Sequence, residues 1–235
     1  MNLFHAQPFK LEKTIWTDAD LDRMGWHDAR IYQISFSGDL SFDIDYIFQW
    51  NQPLAAGMPF TFWVAPVTLV FTNARLRGLD LLTTFYDDAF EIDYIEKNES
   101  ETVKTWRIIT QRGEMEFEAD GFIQYVRQQP TFQYGQTIPY MERGGVSVEQ
   151  TTKQENRYVQ SEEYIRLRQC KEESYSYAIK HREAKNELKE LQRKRDAGEV
   201  ATKDYLVEKK RLNDLMFSHS YWIKDEAFKY AAGLT

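Results

Sequence analysis

Short runs of alternating apolar and polar residues fill the sequence between residues 31 and 127, and Gly, Asn, Asp or Pro residues separate most of them. This period of two is typical of a strand with one buried face. No helical stretch separates the runs, as a parallel sheet would require, so the pattern predicts an antiparallel β sandwich or curved sheet. About nine strands are expected, near residues 31–36, 40–48, 60–64, 67–71, 76–82, 90–95, 104–110, 114–119 and 122–127.

From about residue 157 the period changes to that of an amphipathic helix. Tyr177, Ala184 and Leu191 recur every seven residues, and Tyr205 and Leu212 repeat the same spacing. Two amphipathic helices are therefore expected in the last third of the chain. The predicted fold class is α+β, an antiparallel β sandwich or curved sheet followed by a long α-helical hairpin.

The two helices are expected to fold back on each other. Gly198 provides a stop for the first helix and Thr202 a cap for the second. Antiparallel pairing about this turn brings Tyr177 near His219. The shared apolar stripe is narrow, and a thin two-helix hairpin is marginal by itself. We therefore expect it to dock on the β domain or on a second copy, which predicts a homo-oligomer formed through the hairpin.

Charge is unevenly distributed along the chain, and this distribution supports a division of the chain into three regions. Residues 1–135 contain 11 Lys and Arg against 20 Asp and Glu, a net charge of −9, whereas residues 136–235 contain 19 against 17, a net charge of +2. Pro and Gly with little periodicity mark the stretch between the two patterns. The prediction is an acidic antiparallel β domain at 1–135, a linker or strap at 136–156, and a helical hairpin at 157–235.

Composition excludes several classes of function. Cys170 is the single cysteine, so no intramolecular disulfide is possible and a reducing compartment, the cytoplasm, is expected. The N-terminus lacks a secretory signal pattern. The apolar run at 60–71 is too short for a membrane span, so no membrane association is expected. No basic stripe with interleaved aromatics is present, which disfavours nucleic-acid binding.

One group of charged residues is predicted to share a face of the sheet. A two-residue turn at Gly38 and Asp39 places Tyr32 opposite Asp45 in the neighbouring strand. Alternation then puts four residues on one face: Asp28, Arg30, Asp43 and Asp45. This group is interpreted either as a site for a ligand, a metal or a basic partner, or as an ordinary cross-strand charge pair.

Two further residues extend this candidate site. His27 is either a hydrogen-bonded structural histidine at the entrance of a strand, or a ligand or base. Trp50 lies beside a turn and is the best candidate among the tryptophans for an exposed recognition residue, although most aromatic residues within strands belong to the core. The full set of predicted binding residues is His27, Asp28, Arg30, Asp43, Asp45 and Trp50.

A six-residue motif occurs twice. Phe42-Asp-Ile-Asp-Tyr-Ile47 is nearly repeated as Phe90-Glu-Ile-Asp-Tyr-Ile95. The repeat indicates either a duplicated hairpin or two half-buried strands that converged on one alternating pattern.

Two segments resemble known bacterial families. Residues 189–213, KELQRKRDAGEVATKDYLVEKKRLN, resemble the short C-terminal SHOCT-type module, which implies an oligomerisation role. Residues 15–130, with Trp26-His-Asp-Ala-Arg-Ile31 and Gly121-Phe-Ile-Gln-Tyr125, are similar to bacterial β-domain proteins with a His-Asp-Ala strand. Some relatives of the second family are immunity proteins of toxin systems, so this resemblance implies a role in binding.

These observations favour a protein without catalytic function. No nucleophile elbow, phosphate loop or zinc-ligand spacing is present, so no catalytic residue, metal ligand or cofactor is expected. The preferred hypothesis is a protein-binding or scaffold protein with a basic protein partner, immunity-like as the resemblance implies. The alternatives are a metal-dependent hydrolase built on the His/Asp cluster, and a structural subunit of a larger assembly.

Overall fold

The computed structural model describes residues 9–81, 90–100 and 103–223. In these residues ten strands form one antiparallel sheet that is not closed, followed by two helices. The predicted α+β fold is confirmed. The strands are β1 (Ile15–Thr17), β2 (Ala29–Ser37), β3 (Asp39–Asn51), β4 (Thr61–Phe71), β5 (Arg75–Leu81), β6 (Glu91–Glu99), β7 (Lys104–Thr110), β8 (Gly113–Glu118), β9 (Phe122–Val126) and β10 (Thr131–Gln133).

The sheet is strongly curved around one core. The strand order is β1-β9-β4-β3-β2-β6-β7-β8-β5, with β10 paired to the start of β4. Phe71 on β4 nevertheless lies 4.7 Å from Phe117 on β8 and 5.2 Å from Trp106 on β7, measured between ring centroids. Strands that are distant in the order therefore face each other across the same apolar interior, which we call the inner face of the sheet.

Pro66 does not divide β4, although the sequence predicted separate strands at 60–64 and 67–71. β4 pairs with β3 along its whole length, and Pro66 lies opposite Asp45. On its other side β10 ends its pairing at Val64 and β9 begins at Val67. Proline lacks an N–H, so it is tolerated at this junction between two neighbouring strands, where the ladder is interrupted.

The helical hairpin forms as predicted. Helix α1 (Glu162–Asp196) begins after Ser161, whose hydroxyl accepts a hydrogen bond from the Tyr164 N–H. Gly198 adopts a φ of 75° just beyond its end. Helix α2 (Thr202–Trp222) follows, with Ala201 rather than Thr202 at the cap position. No helix in the described part of the chain is long and apolar enough to cross a membrane.

The predicted pairing of the two helices is also confirmed. The rings of Tyr177 and His219 lie 5.6 Å apart. The Tyr205 hydroxyl donates to the Gln192 side chain at 2.5 Å, and Ser174 donates to the carbonyl of Ile223. Side chains on the outside of α2 stay exposed, including Val207, Phe217 and Tyr221.

Backbone contacts divide the chain into two compact units. One contains the sheet together with residues up to 156, and the other contains the helices together with residues 52–60. Residues 136–156, expected as a linker or strap, belong to the unit of the sheet. We call residues 136–156 the strap.

A glycine in the β7–β8 turn is required by its backbone conformation. Gly113 has a φ of 125°, and a Cβ there would lie 1.9 Å from the carbonyl oxygen of Asp80. Both the left-handed backbone and the contact with main chain oppose any side chain. We expect Gly113→Ala to lower the free energy of unfolding by about 2 kcal/mol or more, measured by urea denaturation.

Gly135→Ala is the matched control. Its φ is not in the left-handed region and no atom lies within 4 Å of a Cβ built there. This variant is expected to change stability by less than about 0.5 kcal/mol. Equal effects of the two substitutions would show that the turn tolerates a side chain at Gly113.

Candidate functional site

Strand β3 is buried on both faces, which the sequence did not predict. Phe42, Ile44 and Tyr46 point into the core on the inner face. Asp43 and Asp45 point to the outer face, yet both are 0% exposed. The expectation that these two carboxylates lie on a surface accessible to a partner is therefore wrong, because the strap covers them.

Two arginines reach these carboxylates from elements far away in sequence. Arg127 directly follows β9, and Arg143 lies in the strap. Both side chains are fully buried. The backbone of the strap contributes as well, because the N–H groups of Ile138 and Ser147 point at the carboxylates.

Asp43 accepts four hydrogen bonds. One oxygen, Oδ1, accepts from Nη2 of Arg127 at 2.5 Å and from Nη2 of Arg143 at 2.7 Å. The other, Oδ2, accepts from Nη1 of Arg143 at 3.0 Å and from the N–H of Ser147 at 2.8 Å. Arg143 therefore binds this carboxylate through two nitrogens, the geometry in which Arg–carboxylate pairs are strongest.

Asp45 completes the group. Its Oδ1 accepts from Nε of Arg143 at 3.2 Å, and its Oδ2 accepts from the Tyr32 hydroxyl and the Ile138 N–H, both at 2.8 Å. The Arg143 guanidinium also lies 3.7 Å above the centre of the Tyr32 ring. We call these five side chains the buried ion network: Tyr32, Asp43, Asp45, Arg127 and Arg143.

The buried ion network balances its own charge, with two carboxylates against two guanidinium groups. Burial raises the pKa of Asp45, while the positive charge of Arg143 and the donors around the carboxylate oppose that rise. Burial also lowers the pKa of Arg127, opposed by Asp43. The pKa of Arg143 is raised overall because its two carboxylate partners outweigh its burial. The two negative and two positive charges cancel, so the network has no net charge that would attract an external ion.

The register of the β2–β3 hairpin differs from the prediction. Arg30, rather than Tyr32, lies opposite Asp45, and the pairing shifts at a bulge between Ile31 and Gln33. Arg30 lies between two acidic residues of the sheet, because Glu91 on β6 is its partner on the other side. Burial, followed by the negative charge of Asp28, raises the pKa of Glu91. Arg30 and Asp45 are thus cross-strand partners on one face of the sheet, but the donors to Asp45 are Tyr32, Ile138 and Arg143 rather than Arg30.

The repeated motif contributes both neighbours of β2. Its first copy lies in β3 and its second covers the start of β6, and these two strands flank β2. The two copies differ in environment, because Asp45 is completely buried whereas the side chain of the corresponding Asp93 is 46% exposed. Similar alternation therefore built the two strands on either side of β2, and the corresponding aspartate is completely buried in only one of them.

Three of the predicted binding residues lie together outside the buried ion network. The rings of His27 and Trp50 stack at 6.4 Å with an angle of 14°. His27 lies between two carboxylates, 3.6 Å from Asp28 and 3.4 Å from Asp93. Asp28 also accepts a hydrogen bond from Gln136 at 2.6 Å. We call His27, Asp28, Trp50 and Asp93 the His–Trp surface.

The His–Trp surface is accessible. The side chain of His27 is 64% exposed and Trp50 is 43% exposed, while Asp28 is mostly covered. Trp50 is oriented by the edge of the Phe62 ring, 4.9 Å away. A half-exposed tryptophan held by two other rings is a preorganised aromatic contact.

Asp43 and Asp45 do not join His27 and Asp28 around a metal, because their oxygens are taken up by the arginines and by backbone N–H groups. Within residues 9–81, 90–100 and 103–223, no group of three or more His, Cys, Asp and Glu side chains has an arrangement that could hold a metal ion.

A polar cavity of about 920 Å³ lies elsewhere on the sheet. Residues at four connections between strands line it, among them Gly38, Asn73, Ser100, Lys104 and Asp120. None of the residues predicted for binding lines this cavity, so it does not belong to the candidate site.

Sequence reasoning missed the two arginines of the network. The only local signal is the pair Gly144-Gly145, whose φ angles of 75° and 79° end the turn that carries Arg143. The pair lies within the stretch at 136–156 that the sequence predicts as a linker or strap. The sequence pattern typical of such a network is two aspartates in the middle of a long apolar strand, together with an arginine beside a Gly-Gly turn.

Comparison of the chain with protein-family models, with curated proteins and with solved structures gives no match.

Removal of one arginine from the buried ion network is expected to be costly. In Arg143→Met, both Asp43 and Asp45 lose donors without regaining water. Breaking a buried ion pair costs about 3–5 kcal/mol, because the remaining charge stays buried. Urea denaturation of the variant should show a loss of that size.

Arg77→Met is the control, since it removes an arginine whose pair with Glu118 lies at the surface. Such pairs contribute less than about 1 kcal/mol. If the two variants lost equal stability, the buried ion network would be no more important than a surface pair.

Alkaline pH should weaken the fold through Tyr32. Burial, and then the negative charge of Asp45, raise the pKa of this phenol far above its ordinary value. Above a pH of about 10 the unfolded chain loses the Tyr32 proton while the folded chain keeps it. Stability therefore falls as pH rises through that window, by about 1.4 kcal/mol per pH unit for this group.

Tyr32→Phe should remove this contribution. We expect the stability difference between the protein and Tyr32→Phe to be constant below pH about 10 and to shrink above it. Tyr94→Phe, at a tyrosine that is 47% exposed, serves as the control. Parallel pH profiles of the protein and Tyr32→Phe would contradict this assignment.

Proposed function

We propose that the protein is a non-catalytic, cytoplasmic binding protein whose His–Trp surface engages a basic protein partner. The observation that carries this proposal is the stacked pair of His27 and Trp50, accessible at the surface and flanked by Asp28 and Asp93.

The chemistry of the His–Trp surface suits a lysine or arginine side chain. A cation over the face of a tryptophan gains about 0.5–2 kcal/mol, and the Asp93 carboxylate beside it is 46% exposed. An exposed tryptophan with carboxylates beside it is therefore expected to contribute a large part of the binding energy for a cationic side chain. The remaining partner surface would then need only to exclude water.

The charge of the β region supports the same class of partner. Residues 1–135 carry a net charge of −9. A field of that sign speeds the encounter with a positively charged protein and makes binding weaken as salt increases. The resemblance to bacterial immunity proteins agrees with a binding role, and oligomerisation through the hairpin stays a prediction.

Asp43 and Asp45 do not take part in this proposal. Their burial and their arginine partners assign them to holding the strap in place. The strap in turn supplies Gln136, which holds Asp28 beside His27. The buried ion network therefore positions one edge of the His–Trp surface without contacting a partner.

The test is affinity enrichment with the tagged full chain at increasing salt, followed by identification of the bound proteins and measurement of each affinity. A basic partner released as salt rises is expected. Trp50→Ala should weaken its binding by about 2 kcal/mol or more, roughly thirtyfold. Asp93→Asn should mainly slow association and reduce the dependence on salt.

Tyr140→Ala is the matched control, because Tyr140 is a 62% exposed aromatic residue of the same compact unit. It should leave the affinity unchanged. An acidic partner, binding that is indifferent to salt, or equal affinity of Trp50→Ala and the unchanged protein would each overturn the proposal, provided that thermal unfolding shows the variant to be folded.

A further inference from the structure

Strand β5 is an edge of the sheet. Within the described residues β5 hydrogen-bonds only to β8, so one row of its backbone N–H and C=O groups faces away from the sheet. Such a row is a template for another strand. The strand is seven residues long, Arg75-Leu-Arg-Gly-Leu-Asp-Leu81.

The two faces of β5 differ completely. Leu76 lies opposite Phe117 and Leu79 opposite Met115, and both partners on β8 are core residues. The two leucines therefore continue the inner, apolar face of the sheet to its edge. They remain 46% and 53% exposed, however, so the apolar face extends beyond what the described residues cover there.

The opposite face of β5 carries charges of both signs. Arg75 lies opposite Glu118 and Asp80 opposite Glu114, on the outer side of the sheet. Arg77 occupies the position of a bulge and also pairs with Glu118. The outer face thus has two arginines at one end of the strand and an aspartate at the other.

This pattern is self-complementary. In antiparallel pairing of β5 with β5 of a second copy, one register places Leu76 opposite Leu79 and Arg75 opposite Asp80, each twice by symmetry. Leucines on the inner faces of the two copies then lie opposite each other, and each charge on the outer faces lies opposite a charge of the other sign. A shift of one residue would place Leu76 opposite Asp80 or Arg75 opposite Leu79, setting inner residues against outer ones.

We propose that two copies of the chain associate through antiparallel pairing of their β5 strands in this register, joining two sheets into one. Charged side chains on an edge commonly discourage pairing, but in this register each outward charge of Arg75 and Asp80 lies opposite a charge of the other sign. Here the inward residues are leucines and the outward charges match. A cavity of about 220 Å³ beside Leu76, bordered by Phe36 and Leu40, lies next to the position that Leu79 of the second copy would take.

The first experiment measures the mass of the full chain by light scattering over a concentration series. A dimer that dissociates on dilution is expected. Arg75→Glu and Asp80→Arg should each weaken it at least tenfold, since each sets like charges opposite one another. The double variant Arg75→Glu/Asp80→Arg should restore it.

Restoration is the decisive result. Within one chain, the carboxylate introduced by Arg75→Glu lies opposite Glu118 in both the single and the double variant. If the single variant lost the dimer only because it folded less well, the double variant would therefore not restore it. Thermal unfolding of each variant measures that effect separately. If the double variant stays as weak as the singles, the proposed register is wrong.

Cross-linking tests the same register directly. In Arg75→Cys/Asp80→Cys the two thiols lie too far apart along the strand to join within one chain, so oxidation should give a disulfide-linked dimer. The same oxidation of Arg75→Cys/Leu81→Cys, whose two positions lie on opposite faces, should leave monomers. The native Cys170 is buried and is present in both.

Three outcomes would overturn the proposal. The full chain is monomeric throughout the series; the dimer persists in Arg75→Glu and Asp80→Arg; or the dimer is lost in Phe217→Asp, on the exposed side of α2, and unaffected by changes in β5. The last outcome would assign association to the helical hairpin instead. None of these results depends on whether the His–Trp surface binds a partner.

Discussion

The ion pairs between Asp43, Asp45, Arg127 and Arg143 hold together the outer side of the sheet. Charges in an apolar interior are expensive unless they are paired and hydrogen-bonded, and these four are paired almost completely. Because breaking any one of these ion pairs costs about 3–5 kcal/mol of free energy, the strap is held against the sheet. A segment with almost no regular secondary structure is thereby held against the outer face of the sheet.

The position of the strap determines what the sheet offers to solvent. Its contact through Ile138 closes a small apolar cluster with Ile47, Phe62 and Val64. Phe62 in turn supports Trp50, and Gln136 supports Asp28. The accessible aromatic pair and the carboxylates beside it are thus held by contacts that start in the buried ion network. This coupling gives the buried ion network a structural role and connects it to the surface that we propose for binding.

The two ends of the sheet show opposite solutions to the problem of unpaired strand edges. At one end β1 is only three residues long, and β10 is equally short where it pairs with β4. Short strands expose few backbone groups and limit pairing with other chains. At the other end β5 presents seven residues with leucines on one face and matched charges on the other. A long edge of that kind is suited to association rather than protected from it.

Local patterns determined most of the architecture. Alternation with a period of two and the turn residues specified the antiparallel sheet, because these patterns depend on neighbours in sequence. The change to helical period specified the two helices. The short turn at Gly198 then set their antiparallel register and the contact of Tyr177 with His219. Tertiary structure decided the rest. Asp43 pairs with Arg127 and Arg143, which are 84 and 100 residues away in sequence. The sequence pattern of an alternating strand is the same whether its polar face contacts water or a buried arginine. Burial of a charge is set by what folds over it, and no pattern within a strand records that.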